Sequence, residues 1–141
     1  MPKLELLSEM ERKMLLDFPC LQYDTAPFKT LRKKVSQSKI SLITSAGLHL
    51  RTDKPFQRGD QTYRVLPSST SKNEIIQSHI SIGFDHTPFY RDINVVYPVD
   101  RIRELLHRGV VGSISENYYS FMGATADPRE MIEKTGPEVA Q

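Results

Sequence analysis

The stretch that decides the fold is Lys39-Ile-Ser-Leu-Ile-Thr-Ser-Ala-Gly-Leu-His-Leu50. Residues 40–44 form a short, mostly apolar run, which is typical of a strand buried on both faces of a parallel sheet. The small-residue turn 44–47 follows at the carboxyl end of this strand, where open α/β sheets bind their ligands. We expect the turn to expose backbone N–H groups to an anion, and His49 to lie near the same crevice.

Strands and helices alternate along the rest of the chain. Further strands are predicted over 62–66, 74–82 and 110–114, and helices over 3–18, 27–37 and 98–109. Asp127-Pro128-Arg129-Glu130 predicts the start of a final helix, which Gly136-Pro137 interrupts. This alternation predicts an α/β domain of three layers, in which a short, largely parallel sheet is flanked by helices. Four strands are few for such a sheet, so we expect the domain to be incomplete without a C-terminal portion or a partner.

Residues 1–39 are predicted as an N-terminal helical segment of a single domain that spans 1–141. The helix over 3–18 has one apolar face, which predicts docking on the core or, alternatively, on another subunit. That face comprises Leu4, Leu7, Met10, Met14, Leu15 and Phe18. The helix over 27–37 is predicted with Thr25 near its cap and Phe28, Leu31 and Val35 on its inner face. The aromatic stretch 118–123 is predicted as a loop.

Composition excludes several classes of protein. The chain has 141 residues, a net charge of +2 and one cysteine, Cys20. A single cysteine excludes an internal disulfide and a cysteine-rich zinc site within this chain. We find no signal peptide and no run near the roughly 18 apolar residues of a membrane span, so the cytoplasm is the expected location. The sequence contains no P-loop, no GxGxxG fingerprint and no nucleophile elbow.

Polar, titratable side chains gather in the irregular stretch 79–101, between a predicted strand and the helix over 98–109. A segment of this kind on a regular scaffold is where chemistry is usually carried. The candidate site residues are His49, His79, Asp85, His86, Arg91, Asp92, Asn94 and Arg101.

The residue types in this stretch suit three kinds of site. Imidazoles at His49, His79 and His86 could bind a metal, although their spacing matches no known motif. A histidine oriented by Asp85 or Asp92 could perform acid–base chemistry. Arginines at 91 and 101 could bind an anionic substrate. Alternatively, these groups hold the loop together, with Asp92 and Asn94 in turns and Asp100 capping the helix.

Six motifs occur in a defined order and carry a resemblance to a known family. They are Ile43-Thr-Ser-Ala-Gly-Leu-His49, Tyr63-Arg-Val-Leu-Pro67, Ser78-His79 with Asp85-His86, Arg91-Asp-Ile-Asn-Val-Val-Tyr-Pro-Val-Asp-Arg101, Gly109-Val-Val-Gly112 and Tyr118-Tyr-Ser-Phe-Met-Gly123. From residue 40 to its end the chain resembles the selenoprotein B family of glycine, sarcosine, betaine and D-proline reductases. The resemblance implies reductive cleavage of a C–N bond by a selenocysteine or cysteine, within a multisubunit complex that receives electrons from thiols.

In that family the redox residue lies after the segment that matches 137–141. We therefore expect the native polypeptide to continue past Gln141, and no cofactor to lie within this chain. The resemblance implies that His49, His79, Asp85, His86 and Asp92 shape the pocket. We predict catalytic roles for His79, Asp85 and His86, substrate binding by His49, Arg91, Asp92, Asn94 and Arg101, and no metal ligands. The expected partners are other reductase subunits or a second copy and a small amino-acid-like substrate, with neither nucleic acid nor membrane. A non-catalytic binding or assembly module and a metal-dependent enzyme remain the alternatives.

Overall fold

A computed structural model of the protein describes residues 3–18, 22, 24, 26, 28–81 and 83–141. The chain forms two compact units, Met1–Thr30 and Leu31–Gln141. Among the described residues, no helix has both the length and the apolar character needed to cross a bilayer.

The first unit contains a 3-10 turn at Leu4–Leu6 and helix α1 at Glu9–Leu16. Ser8 and Glu11 form a capping box, in which each side chain accepts a hydrogen bond from the backbone N–H of the other. This cap starts α1 at Glu9, so the helix is shorter than the predicted 3–18. The predicted docking face is exposed: Met10 and Met14 are 84% and 67% exposed. Cys20 lies outside the described residues.

The described residues of the second unit form seven short strands and three helices. The strands are β1 (Lys39–Ile40), β2 (Ile43–Thr44), β3 (Leu48–Leu50), β4 (Arg64–Pro67), β5 (Ile75–Gln77), β6 (Ser113–Ile114) and β7 (Asn117–Ser120). The helices are α2 (Thr87–Arg91), α3 (Val99–His107) and α4 (Gly136–Val139), with 3-10 turns at Val35–Gln37, Lys72–Glu74 and Ile93–Val95 and a π turn at Met131–Thr135.

The expected α/β class is confirmed, and parallel strands are present. β1 pairs with β6 and β2 with β7, both in parallel, whereas β4 pairs with β7 and β3 with β5 in antiparallel fashion. The described strands thus form three small sheets of mixed pairing. The predicted strand over 40–44 is divided in two, because residues 41–42 separate its two paired positions whereas four residues, 115–118, separate their partners. Ser41 Oγ donates to Asn117 O across this gap.

The core lies between these sheets and α3. Its buried side chains are Ala46, Leu48, Leu66, Ile75, Ile93, Tyr97, Val99, Ile102, Val111 and Tyr118. Helix α3 agrees with its prediction, since Val99 and Ile102 are buried and Gly109 ends it at φ +67°.

The prediction of a loop over the aromatic stretch 118–123 is wrong for the first half of that stretch. Residues 117–120 form β7, the central strand of the three-stranded sheet. Tyr118 and Ser120 are fully buried, whereas Asn117 is exposed. Strands on both sides satisfy the β7 backbone, and its aromatic side chains suit a half-buried pleated surface.

The predicted helix over 27–37 is also wrong. Only Val35–Gln37 is helical in the described part of this segment, and the predicted cap Thr25 lies outside the described residues. The backbone N–H of Gly112 donates to the carbonyl oxygens of both Val35 and Ser38. Because a neighbouring segment uses these carbonyls, the chain does not continue as a regular helix.

The C-terminal helix is not interrupted at Gly136-Pro137. Helical residues run from 129 to 139, with the π turn in the middle. The N–H of Gly136 donates to Met131 O, which closes the wider turn. A Cβ atom on Gly136 would lie 2.6 Å from that oxygen, so only glycine fits. Asp127 Oδ1 accepts from Arg129 N at the start of this helix, as its sequence predicts.

Candidate functional site

The small-residue turn 44–47 lies against the end of β5. Gly47 has φ +65°, and its carbonyl oxygen accepts a hydrogen bond of 2.9 Å from Ser78 N. The N–H of Ala46 donates to Thr44 Oγ1, and the N–H of Gly47 donates to Phe121 O. Two of the N–H groups expected to bind an anion are therefore already used. The turn positions the neighbouring chain instead.

A hydrogen-bonded chain connects this turn to His86. Gln77, the last residue of β5, donates from Nε2 to Ala46 O at 3.2 Å. Its Oε1 lies 2.9 Å from His86 Nδ1. Since a carbonyl oxygen only accepts, the amide nitrogen of Gln77 faces Ala46 and the amide oxygen faces His86. Nδ1 of His86 therefore donates, and Nε2 of the neutral ring carries the lone pair.

His79 has the opposite tautomer. Ser81 N donates to His79 Nδ1 at 3.2 Å, so the proton of the neutral ring lies on Nε2. The ring stacks on Phe84 with centroids 4.0 Å apart, and Phe84 in turn meets His86 edge-to-face at 5.3 Å. Burial and the neighbouring charge of His86 lower the pKa of His79. The two imidazoles that contact Phe84 thus offer one hydrogen-bond donor, Nε2 of His79, and one acceptor, Nε2 of His86.

The other candidate histidine is placed differently. His49 on β3 is 2% exposed, and its Nδ1 donates to Leu50 O at 2.7 Å. Its Nε2 is buried without a hydrogen-bond partner among the described residues. No three His, Cys, Asp or Glu side chains in the described ranges are grouped so that they could hold a metal ion. The metal alternative through His49, His79 and His86 therefore finds no site in that part of the chain.

The two candidate carboxylates do not orient a histidine. Asp85 Oδ1 accepts from Thr87 N at 2.9 Å at the start of α2, and this backbone hydrogen bond is the main cause that lowers the pKa of Asp85. Asp92 Oδ1 accepts from the side chain and the backbone N–H of Asn94, which lower the pKa of Asp92 in the same way. Both are exposed turn-forming groups, a role that the structural alternative gave to Asp92 but not to Asp85.

Asn94 connects that turn to α3. Its Oδ1 accepts from Asp100 N at 3.0 Å, and its Nδ2 donates to Asp100 Oδ2 at 2.8 Å. Lys72 forms an ion pair with the same Asp100 carboxylate. The hydrogen bonds of Asn94 are therefore made to the protein, and they supply a cap to the N-terminus of α3.

The two candidate arginines have different surroundings. Arg101 donates to Glu104 one turn further along α3 at 2.5 Å, and its side chain is exposed. Arg91 lines a surface cleft of about 460 Å³ between α2 and the 3-10 turn at 72–74. The cleft is bounded by Lys72, Asn73, Ile75, Phe89, Tyr90, Arg91, Asp92 and Ile93.

The residue that sequence reasoning missed is Gln77. The sequence predicted a carboxylate as the group that orients a histidine, whereas an amide hydrogen-bonds to His86 here. The available signal was strand alternation, which places Ile75, Gln77 and His79 on one face.

Comparison with known proteins gives a consistent result. Residues 6–141 match the family described as glycine/sarcosine/betaine reductase selenoprotein B. The chain is 34% identical over 110 residues to the D-proline reductase subunit gamma of Acetoanaerobium sticklandii, which covers 77% of this chain and 45% of that protein. It is 28% identical over 131 residues to the glycine reductase complex component B subunit gamma of Symbiobacterium thermophilum, covering 83% and 30%. It is 25% identical over 115 residues to the sarcosine reductase complex component B subunit beta of Peptoclostridium acidaminophilum, covering 79% and 26%.

This chain spans less than half the length of each of these relatives. No solved structure gives a significant match.

Proposed function

This chain belongs to the glycine/sarcosine/betaine reductase selenoprotein B family, and we propose that it acts as all or part of a reductase subunit. In this proposal the subunit takes part in reductive C–N cleavage of a small amino acid related to glycine, sarcosine, betaine or proline. The family resemblance carried by the six ordered motifs is confirmed. The substrate and the redox step belong to the proposal.

The observation that carries the proposal is the pair of opposite tautomers beside Phe84. His79 offers an N–H at Nε2, and His86 offers a lone pair at Nε2. A zwitterion whose nitrogen carries hydrogen, as in glycine, sarcosine and proline, needs one donor for its carboxylate and one acceptor for its ammonium group. Betaine, whose quaternary nitrogen has no N–H, uses only the donor. We assign His79 to the carboxylate and His86 to the nitrogen at which the C–N bond breaks.

Neither histidine has to form a covalent bond in this scheme. A thiolate or selenolate outside this chain attacks the carbon of the C–N bond, so that a C–S or C–Se bond forms and the ammonium group leaves as the neutral amine with the electron pair of the C–N bond. A second thiolate then attacks that sulfur or selenium to form an S–S or S–Se bond, while the carbon keeps the electron pair of the broken C–S or C–Se bond and takes up a proton. A thiolate, not a thiol, is the nucleophile in such chemistry. The residues of this chain bind the substrate, orient its nitrogen and hold a proton at a defined ring atom.

The same proposal includes other subunits as partners. The glycine and sarcosine reductase relatives are described as subunits of complex components, and we expect this chain to act beside corresponding subunits. Thiol-based electron delivery requires a reducing compartment, so we expect the cytoplasm.

The test is a reductase assay on the full protein assembled with its partner subunits and a dithiol reductant. Glycine, sarcosine, betaine and D-proline are supplied separately, and C–N cleavage products are measured by mass spectrometry. One of them should be cleaved in a dithiol-dependent reaction. His79→Ala and His86→Ala should each lower kcat/KM by about tenfold or more, as the loss of one substrate hydrogen bond allows.

The matched control is His107→Ala, because His107 lies exposed in the last turn of α3. This variant should retain the activity of the wild-type protein. Failure of the assembled complex to cleave any of the four substrates would contradict the proposed function. Equal losses in the His86 and His107 variants would contradict the assigned site.

A further inference from the structure

We propose that Gln77 is a positioning residue that fixes His86 in the Nδ1–H tautomer and so keeps the Nε2 lone pair available. The claim about the tautomer stands on the hydrogen bonds alone. Its consequence for catalysis rests on the proposed function.

The orientation of the Gln77 amide is determined by its contact with Ala46. At one end Nε2 lies 3.2 Å from Ala46 O, an acceptor that cannot donate. At the other end Oε1 lies 2.9 Å from His86 Nδ1. Rotating the amide by half a turn would place its oxygen against the Ala46 carbonyl and lose that bond. The backbone at Ala46 therefore specifies, through Gln77, which ring nitrogen of His86 carries the proton.

The backbone that provides this reference is itself held in place. Ala46 is 4% exposed, and its N–H donates to Thr44 Oγ1. Thr44 Oγ1 donates in turn to Val96 O at 2.8 Å. The carbonyl that orients Gln77 thus belongs to a buried turn with hydrogen bonds on both sides. Such support keeps a side chain in one rotamer.

Phe84 restricts the second degree of freedom of His86. The edge-to-face contact at 5.3 Å limits rotation of the imidazole, while the hydrogen bond from Nδ1 selects its tautomer. The charged or titratable groups nearby are His79, which stacks on Phe84, and Asp85, which accepts a hydrogen bond from Thr87 N. Neither of them makes the hydrogen bond to Nδ1 of His86. Gln77 is the group that does.

The decisive experiment is nitrogen NMR of the full protein with 15N in its histidine rings, recorded at about pH 8, where an ordinary imidazole is neutral. The His86 signals are assigned by their loss in His86→Gln. In the wild-type protein we expect Nδ1 to be of the protonated type and Nε2 of the lone-pair type. In Gln77→Leu the Nδ1–H signal should be lost in favour of a tautomer mixture.

Two further variants make this result specific. Gln77→Glu keeps an acceptor oxygen for His86 Nδ1 and should retain the wild-type tautomer, although it loses the hydrogen bond to Ala46. Gln57→Leu removes an exposed glutamine and should leave all histidine signals unchanged. Circular dichroism verifies that each variant folds. A folded Gln77→Leu protein with an unchanged His86 tautomer, or a wild-type His86 with its proton on Nε2, would overturn the inference.

An activity measurement separates this inference from the proposed function. Gln77→Leu should lower kcat/KM by about tenfold, since one orienting hydrogen bond is lost, whereas Gln57→Leu should not. If the tautomer responds to Gln77→Leu but the wild-type complex cleaves no amino acid, the tautomer claim is supported and the proposed function fails. If the complex is active but its rate is the same in folded Gln77→Leu, the positioning role is contradicted.

Discussion

Gly47 and His79 are packed so closely that even a methyl group on Gly47 would require the His79 backbone to move by a few tenths of an ångström. A Cβ atom on Gly47 would lie 3.1 Å from both the backbone N and the Cα of His79, and 3.3 Å from the Met122 side chain. The left-handed conformation of Gly47, at φ +65°, disfavours other residues independently. The turn that contains Gly47 is therefore in direct contact with the backbone of His79, a histidine of the candidate site.

Gly47→Ala is expected to lower the free energy of unfolding by about 1–3 kcal/mol and to shift the His79 ring signals. Two effects add here, the positive φ and the close backbone contact. Urea unfolding and histidine NMR measure them.

Two glycine variants separate those effects. Gly59 also has a positive φ, but a Cβ atom there meets nothing within 4 Å, so Gly59→Ala should show the conformational part alone. Gly83→Ala should be nearly neutral, because a Cβ there is also in open space and no positive φ is present. Equal destabilisation by Gly47→Ala and Gly59→Ala would refute the contribution of the contact.

Tyr118→Phe is expected to stabilise the protein. The hydroxyl of Tyr118 is buried and has no hydrogen-bond partner among the described residues, and burial raises its pKa. Its ring stays in edge-to-face contact with Tyr97, 5.8 Å between centroids, after the hydroxyl is removed. Removing an unsatisfied buried hydroxyl should raise the free energy of unfolding by about 1 kcal/mol.

Thermal unfolding of Tyr118→Phe beside Tyr119→Phe provides the comparison. Tyr119 is only partly buried, so its variant should change little. Destabilisation by Tyr118→Phe would show that the hydroxyl has a partner after all, such as a buried water molecule.

Stability should depend on pH through His79. Burial, aided by the charge of His86, lowers the pKa of folded His79 below the value of about 6.5 in an unfolded chain. The unfolded state therefore binds more protons, and stability rises with pH. The contribution of neutral His79 to stability is fully present above the pKa of histidine in the unfolded chain. It is lost as the pH falls through the lower pKa of His79 in the folded protein.

Urea unfolding between about pH 7.5 and pH 5 measures this effect, because an ordinary imidazole titrates in that interval. His79→Gln should reduce the slope of stability against pH. His107→Gln should keep the wild-type slope, since His107 is exposed. An identical slope in both variants would contradict the desolvation of His79.

Asn94→Ala should cost stability and leave substrate affinity unchanged. Asn94 accepts from Asp100 N and donates to the Asp92 and Asp100 carboxylates, so its loss removes the cap of α3. A lost cap typically costs about 0.5–2 kcal/mol. Chemical unfolding and KM in the assembled complex are the measurements, and the exposed Asn73→Ala is the control. A large rise in KM with unchanged stability would restore Asn94 as a substrate-binding residue.

Local chemistry explains what could be predicted from the sequence. The period of α3, its glycine stop and the N-terminal turn at Asp127 depend on residues a few positions apart, and all three are present. The turn roles of Asp92 and Asn94 are local for the same reason. The stretch 79–101 does contain His79 and His86, and Gln77 lies only two residues before it.

By itself, then, the sequence determined the α/β class, the family and the segment that carries the candidate site. Only the tertiary structure decided which of the polar groups work together. His86 is oriented from Ala46 through Gln77, across 40 residues of chain, whereas the nearby Asp85 faces the backbone of α2. In the same way, the aromatic stretch becomes β7 because strands from distant positions pair with both of its edges. A hydrogen bond between distant segments forms only where the fold brings those segments together. The local pattern of residues carries no information about which segments meet.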